Sequence, residues 1–241
     1  MFTKTRILAA SLLAGAAVVA GTFLTAHAEE GKGPNHDAES KGKANAKTQA
    51  MADYATACQL ADYGHRNKDP MALISAARIL KAVTTTAMEG KPEEKKTGDG
   101  GQEKKDASKT APLTADSCLD AAAKMAGEDE ALMSLIETVR AEKARGSDVG
   151  PQRGEWRLNG RCYQDSVVTF IGGERAEVAI DGDDDTDLDL FIYDQNGNLI
   201  ISDTRAGDAA GVYWTPRWTG PFRIRVVNLG TVWNHYVIAH N

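Results

Sequence analysis

The spacing of apolar residues changes once along this chain, and that change limits the possible folds more than any other feature. Up to Gly146 they recur every three or four residues, and beyond Arg161 they alternate. A period of 3.6 buries one stripe of a helix, and a period of 2 buries one face of a strand. Two such blocks in succession make an α+β protein, a small Ala-rich helical unit followed by a sheet domain.

The helical block divides at helix signals. Met51, Tyr54, Ala55, Cys58 and Ala61 form a first stripe, with Gly64 at the expected stop. Asp69-Pro70 opens a second helix, since Asp accepts an orphan N–H and Pro has none to lose. Its stripe is Leu73, Ile74, Ala77, Leu80 and Val83. A third helix starts at Thr114 or Ala115 and turns Cys118, Leu119, Ala122 and Met125 inward. Gly127 separates a fourth over 128–144, with Leu132, Leu135, Ile136 and Val139 apolar and Gly146 as its end. Glu128, Asp129 and Glu130 at its start and Lys143 and Arg145 at its end suit the helix dipole. Alanines bury little area each, at about 25 cal/mol per Å². The unit, 48–146, therefore needs a disulfide, the C-terminal domain or a partner for support. Residues 29–47, and an insert at 89–110 rich in Lys, Glu and Gly, have no apolar period and read as disordered linkers.

After a connector over 149–161 come short alternating runs: 165–170, 175–180, 188–193, 198–202, 212–215, 221–227 and 232–238. Gly-rich turns separate them, and Asn196-Gly197 marks a hairpin. Seven or eight short strands at this spacing predict an antiparallel β-sandwich. Phe222, Ile224 and Val226 alternate with Arg223 and Arg225, so that strand has one buried and one wet face.

Residues 1–28 read as a signal peptide. Lys4 and Arg6 precede an apolar stretch from Ile7 to Leu24, and Ala26-His27-Ala28 has the form of a cleavage site. The bacterial style of the signal predicts a periplasmic or secreted protein. Removing Lys4 and Arg6 takes the formal charge from −6 to −8. So acidic a chain is poorly suited to nucleic acid, which rewards clustered Lys and Arg. No later segment is apolar enough to span a membrane.

Three groups of residues carry the chemistry. Asp183, Asp184, Asp185, Asp187 and Asp189, with Asp181 before them, crowd carboxylates into one turn and strand entry. Calcium, with six to eight oxygen ligands, is the cofactor that would relieve their repulsion. The run is not an EF-hand loop: counted from Asp181 or Asp183, the sixth position is Thr186 or Leu188, where Gly is required. The alternative is a solvated turn whose carboxylates cap backbone N–H groups. Trp214, Trp218 and Trp233 are candidate ligand-binding aromatics, or core residues. Cys58 and Cys118 sit on apolar helix faces and are disulfide candidates in an oxidising compartment, or else buried thiols alongside Cys162. No His-Glu-x-x-His, nucleophile elbow or phosphate loop occurs, so the chain reads as a non-enzyme.

Asp185-Thr186-Asp187-Leu188-Asp189-Leu190, leading into Tyr193-Asp194-Gln195-Asn196-Gly197-Asn198, resembles the bacterial pre-peptidase C-terminal domain. Trp214-Thr215-Pro216, Trp218 to Phe222 and Asn234-His235-Tyr236 fit the same resemblance, which covers 155–241. It implies a jelly-roll-like β-sandwich, usually appended to secreted hydrolases and sometimes binding calcium, collagen or other matrix. The helical half is too small and plain to be a peptidase. The chain is more similar to exported bacterial proteins of unknown function that carry such a domain alone. The expected function is an exported binding or accessory module for an extracellular or envelope protein or glycan. The competing expectation is a hydrolase accessory or enzyme with a site between the two parts.

Overall fold

The computed structural model describes residues 33–44, 46–83, 85–97, 113–142, 150–183 and 185–241. The expected signal peptide, and Asp184 of the acidic run, lie outside them. Four helices are described: α1 (Ala46–Asn67), α2 (Pro70–Ala82), α3 (Ala115–Ala126) and α4 (Glu130–Ala141). Strands β1 (Thr86–Ala87) and β2 (Glu93–Lys96) fall between α2 and α3. The remaining strands are β3 (Gln152–Leu158), β4 (Cys162–Phe170), β5 (Ala176–Asp181), β6 (Leu188–Tyr193), β7 (Leu199–Asp203), β8 (Ala209–Trp214), β9 (Gly220–Asn228) and β10 (Asn234–His240). The chain is thus α+β, a helical N-terminal unit followed by a β-sandwich.

Helix caps follow the sequence. Asp69 accepts from the N–H groups of Met71 (2.9 Å) and Ala72 (3.1 Å), and Asp129 does the same for Ala131 and Leu132. Thr114 and Ser117 form a reciprocal capping box. The expected stop at Gly64 is wrong. Helix α1 continues to Asn67, and Lys68 then takes the left-handed φ of 54°. Gly64 instead admits α2, because a Cβ there would lie 2.7 Å from Leu73 Cγ. Gly64→Ala is therefore expected to destabilise the protein by about 1–3 kcal/mol, although alanine is the better helix former by about 1 kcal/mol. Thermal denaturation measures it, and a raised melting temperature would mean that α1 and α2 can part freely.

One sheet has the order β1-β3-β10-β5-β8 and the other β2-β4-β9-β6-β7. With β3 counted as the first of eight, the orders are 1-8-3-6 and 2-7-4-5. That is the jelly roll, two Greek keys closed over one core. Phe222, Ile224 and Val226 of β9 face Val178 and Ile180 of β5 and Tyr236 and Ile238 of β10 across this core.

The helical unit lies on the outer face of the first sheet. Met51, Tyr54, Cys58 and Val83 pack on Ala179 of β5 and Ala239 of β10. The two alanines let the helix approach closely, and they explain why β5 and β10 are buried along most of their length.

Three segments differ from the sequence expectation. Residues 33–44 of the expected linker lie against the sandwich. Asn35 is fully buried, Asp37 N–H donates to the Thr215 carbonyl (2.8 Å), and the backbone of Lys43 forms an isolated parallel β-bridge with that of Glu174. The described part of the expected 89–110 insert contains β2, which pairs with β4 from Glu93↔Asp165 to Lys96↔Cys162. Glu94 of this strand accepts from Asn159 (2.7 Å) and Gln164 (3.1 Å). The expected connector at 149–161 contains β3, so the sandwich begins before residue 155. Backbone pairing with distant strands, helped by polar contacts of Asn35 and Glu94, holds these segments, and local apolar periodicity does not register such pairing.

Candidate functional site

The acidic run stands at one end of the sandwich, with the loops 204–208 and 229–233. Two of its carboxylates are turned to backbone donors. Asp183 is buried and accepts from His235 N–H (3.2 Å). Asp187 accepts from Gly207 N–H (2.6 Å). Buried Asn234 ties these loops together, donating to Thr186 Oγ1 (3.0 Å) and Asp208 Oδ2 (3.3 Å). Burial raises the Asp189 carboxyl above its usual range, and Asp187 and Asp203 add to the effect. Burial also pushes Asp203 up, but hydrogen bonds from Arg205 and the Gly211 N–H outweigh it and hold Asp203 low. Among the described residues no group of three or more His, Cys, Asp or Glu side chains is placed to hold a metal ion.

The three tryptophans do not share a surface. Trp214 belongs to the core, 2 % exposed and edge-on to Phe170 at 4.8 Å, which corrects its reading as a ligand-binding residue. Trp218 stands at the end opposite the acidic run. Its N–H donates to Asn35 Oδ1 and its carbonyl accepts from Asn35 Nδ2, both at 3.0 Å. The same Asn35 donates its backbone N–H to Asp194 Oδ2 (3.1 Å), at the β6–β7 hairpin where Gly197 takes a φ of 83°. Trp233 is at the acidic end, with the Arg157 guanidinium 4.7 Å from its ring centroid.

Cys58, Cys118 and Cys162 are all buried thiols, so the candidate Cys58–Cys118 bridge is not formed. Cys118 belongs to the packing of α2, α3 and α4, whereas Cys58 faces the sheet. A small crevice between α1 and the first sheet is lined by Tyr54, Cys58, Ala179, Asp181, Val237 and Ala239. Burial, with Asp181 beside it, pushes the Cys58 thiol well above its usual range. A thiol held protonated is a poor nucleophile. The crevice has the place expected of a site between the two parts, but no activated nucleophile among these residues.

The arrangement best suited to contact with another molecule is the outer face of the second sheet, which no described helix covers. Register builds it in cross-strand rows. Asp165 of β4 stands opposite Arg225 of β9, itself opposite Phe191 of β6. In the next row Val167 stands opposite Arg223, and Arg223 opposite Tyr193. Arg225 donates two bonds of 2.7 Å to the Asp165 carboxylate, with its guanidinium 3.9 Å from the Tyr163 ring centroid. Arg223 lies in the same manner over Tyr193, at 4.7 Å. It has no ion pair among the described residues, and its Nε is buried without a hydrogen-bond partner. Phe191 stacks beside Tyr193 at 6.4 Å and 22°. Two large apolar side chains border the rows, Val167 at 69 % and Leu199 at 51 % exposed.

The sequence showed Arg223 and Arg225 on the wet face of a strand. It did not show Tyr163, Asp165, Phe191 and Tyr193 as their neighbours, because pairing of β4, β6 and β9 brings those together from separate runs. The aromatic signal pointed to tryptophans, whereas tyrosines and a phenylalanine form the exposed face.

No family model matches this chain, and a search of curated proteins finds no match. Among solved structures, the chain is similar to the pre-peptidase C-terminal domain of a collagenase from Bacillus anthracis, at 8 % identity, over 38 % of this chain and 89 % of that one, with a TM-score of 0.32. It is also similar to a de novo designed double-stranded β-helix, at 14 % identity, over 37 % of this chain and 99 % of that one, with a TM-score of 0.25. The fold assignment rests on the strand order given above.

Proposed function

We propose that this chain is an exported, non-catalytic binding module that recognises an extracellular or envelope glycan or protein through the outer face of its second sheet. One observation supports this reading above the others: the two sheets are treated differently. The middle of the first sheet's outer face, at Ala179 and Ala239, is covered by α1, while the second leaves Val167 and Leu199 more than half exposed among Tyr163, Tyr193 and Arg223. Tyr and Arg are the residues most often found at the energetic centres of interfaces. The acidic balance of the chain disfavours nucleic acid as the partner. No helix among the described residues is long and apolar enough to cross a membrane.

The full chain is to be tested on arrays of matrix proteins and envelope glycans beside a Val167→Glu, Leu199→Glu double variant. Both positions are exposed, so the variant is expected to keep its melting temperature and to lose about tenfold or more in binding. Undiminished binding by the variant would place recognition elsewhere. Hydrolysis of an array component by the full chain would overturn the non-catalytic reading.

A further inference from the structure

We infer that the open face takes an anionic glycan, with the carboxylate of a uronic acid residue held by Arg223; this rests on the face proposed above. The argument comes from two arginines placed alike. Arg225 lies over a tyrosine ring and fills its fork with the two oxygens of Asp165. Arg223 lies over Tyr193, two residues along the same strand, with no carboxylate from the described residues. A guanidinium presents a planar fork of N–H donors, and a bidentate carboxylate is the ligand that such a fork suits best.

The surroundings select the kind of carboxylate. Tyr193 and Phe191 are stacked side by side, and Val167 and Leu199 flank them as exposed apolar side chains. A uronic acid residue carries its carboxylate and an apolar C–H face on one rigid ring, so a single residue can meet both the guanidinium and the aromatics. A glutamate in a peptide brings its carboxylate on a flexible stem, and ordering that stem costs up to about 2 kcal/mol.

The negative charge of the protein does not prevent this. Arg223 is five residues from Asn228, where β9 reaches the acidic end, which places it roughly 17 Å away. That is about two Debye lengths at physiological salt. Of the nearby carboxylates, Asp165 is paired with Arg225, Glu93 with Lys95, and Asp194 accepts hydrogen bonds from Asn35, Asn196 and Asn198.

The test is isothermal titration of the full chain with a short oligogalacturonate, its methyl ester and a short oligoglutamate, at about 0.15 M salt. The acid form is expected to bind, the ester at least about tenfold more weakly, and Arg223→Gln to lose about tenfold for the acid form alone. Arg223→Lys, which keeps the charge without the fork, is expected to fall between. Equal binding of acid and ester would overturn the role of Arg223 while leaving the face as a binding surface. Tighter binding of oligoglutamate would make the occupant an acidic peptide and overturn the glycan assignment. No binding of any probe, with array retention still dependent on Val167 and Leu199, would also overturn the glycan assignment alone. Array retention indifferent to those two residues would remove the face itself.

Discussion

Phe222→Ala is expected to cost about 3–5 kcal/mol, the range for deleting a large ring from a close-packed core. Phe222 has no exposed surface and sits where the two sheets meet. Its ring contacts Phe170 of β4, centroids 5.8 Å apart, and Trp214 of β8 at 5.2 Å. Phe170 and Phe222 come from one sheet and Trp214 from the other, so the cavity would open between the layers. A domain of this size is stable by about 5–15 kcal/mol, so the loss would leave it marginal. Because α1 packs on Ala179 and Ala239 of the first sheet, the helical unit is expected to melt in the same transition. Urea unfolding followed by fluorescence and circular dichroism measures both. A loss under about 1 kcal/mol would mean that the ring cluster closes over the cavity.

Acidification from pH 6.5 to 4 is expected to remove about 3 kcal/mol of stability through His240 alone. Its ring is buried beside Phe170, with Nδ1 3.0 Å from an Asn241 oxygen. Burial lowers its pKa from 6.5 to about 4; the Asn241 bond opposes this, and Lys47 adds to it. The folded state therefore favours the neutral ring. The contribution is complete above the unfolded pKa of 6.5 and is lost as pH falls towards 4, because only the unfolded chain takes up the proton readily. Asp189 works in the opposite sense, since a raised carboxyl pKa makes acid less harmful below its own titration. His36 is also lowered, by burial first, but it is much more exposed. His240→Phe separates these groups. The variant is expected to lose most of the slope of stability between pH 6.5 and 4, whatever constant offset the lost hydrogen bond adds. An unchanged slope would assign the acid sensitivity to other groups.

Much of the fold was legible because it rests on local rules. Asp69-Pro70 and Thr114 start helices where capping chemistry requires. The alternation of Phe222, Ile224 and Val226 with two arginines gives β9 its inward and outward faces. The failures are non-local. Gly64 looked like a stop, but close approach of Leu73 makes it an interior residue. Trp214 looked like a binding aromatic until Phe170 and Phe222 surrounded it. Asn35 is invisible to hydrophobic periodicity, because its burial is sustained by Trp218 and Asp194, far away in sequence.

The acidic run shows where the division falls. From its composition alone the run reads as a store of negative charge awaiting a cation. The fold turns Asp183 to the His235 N–H and Asp187 to the Gly207 N–H, donors that loop packing brings within reach. By itself the sequence determined the α+β order, the helix starts and the two-faced strands, because propensity, capping and alternation act within a few residues. Only the tertiary structure decided that one sheet would be covered and the other left open, with Arg223 over Tyr193. That outcome depends on strand pairing and helix docking between residues far apart in the chain, which no local pattern encodes.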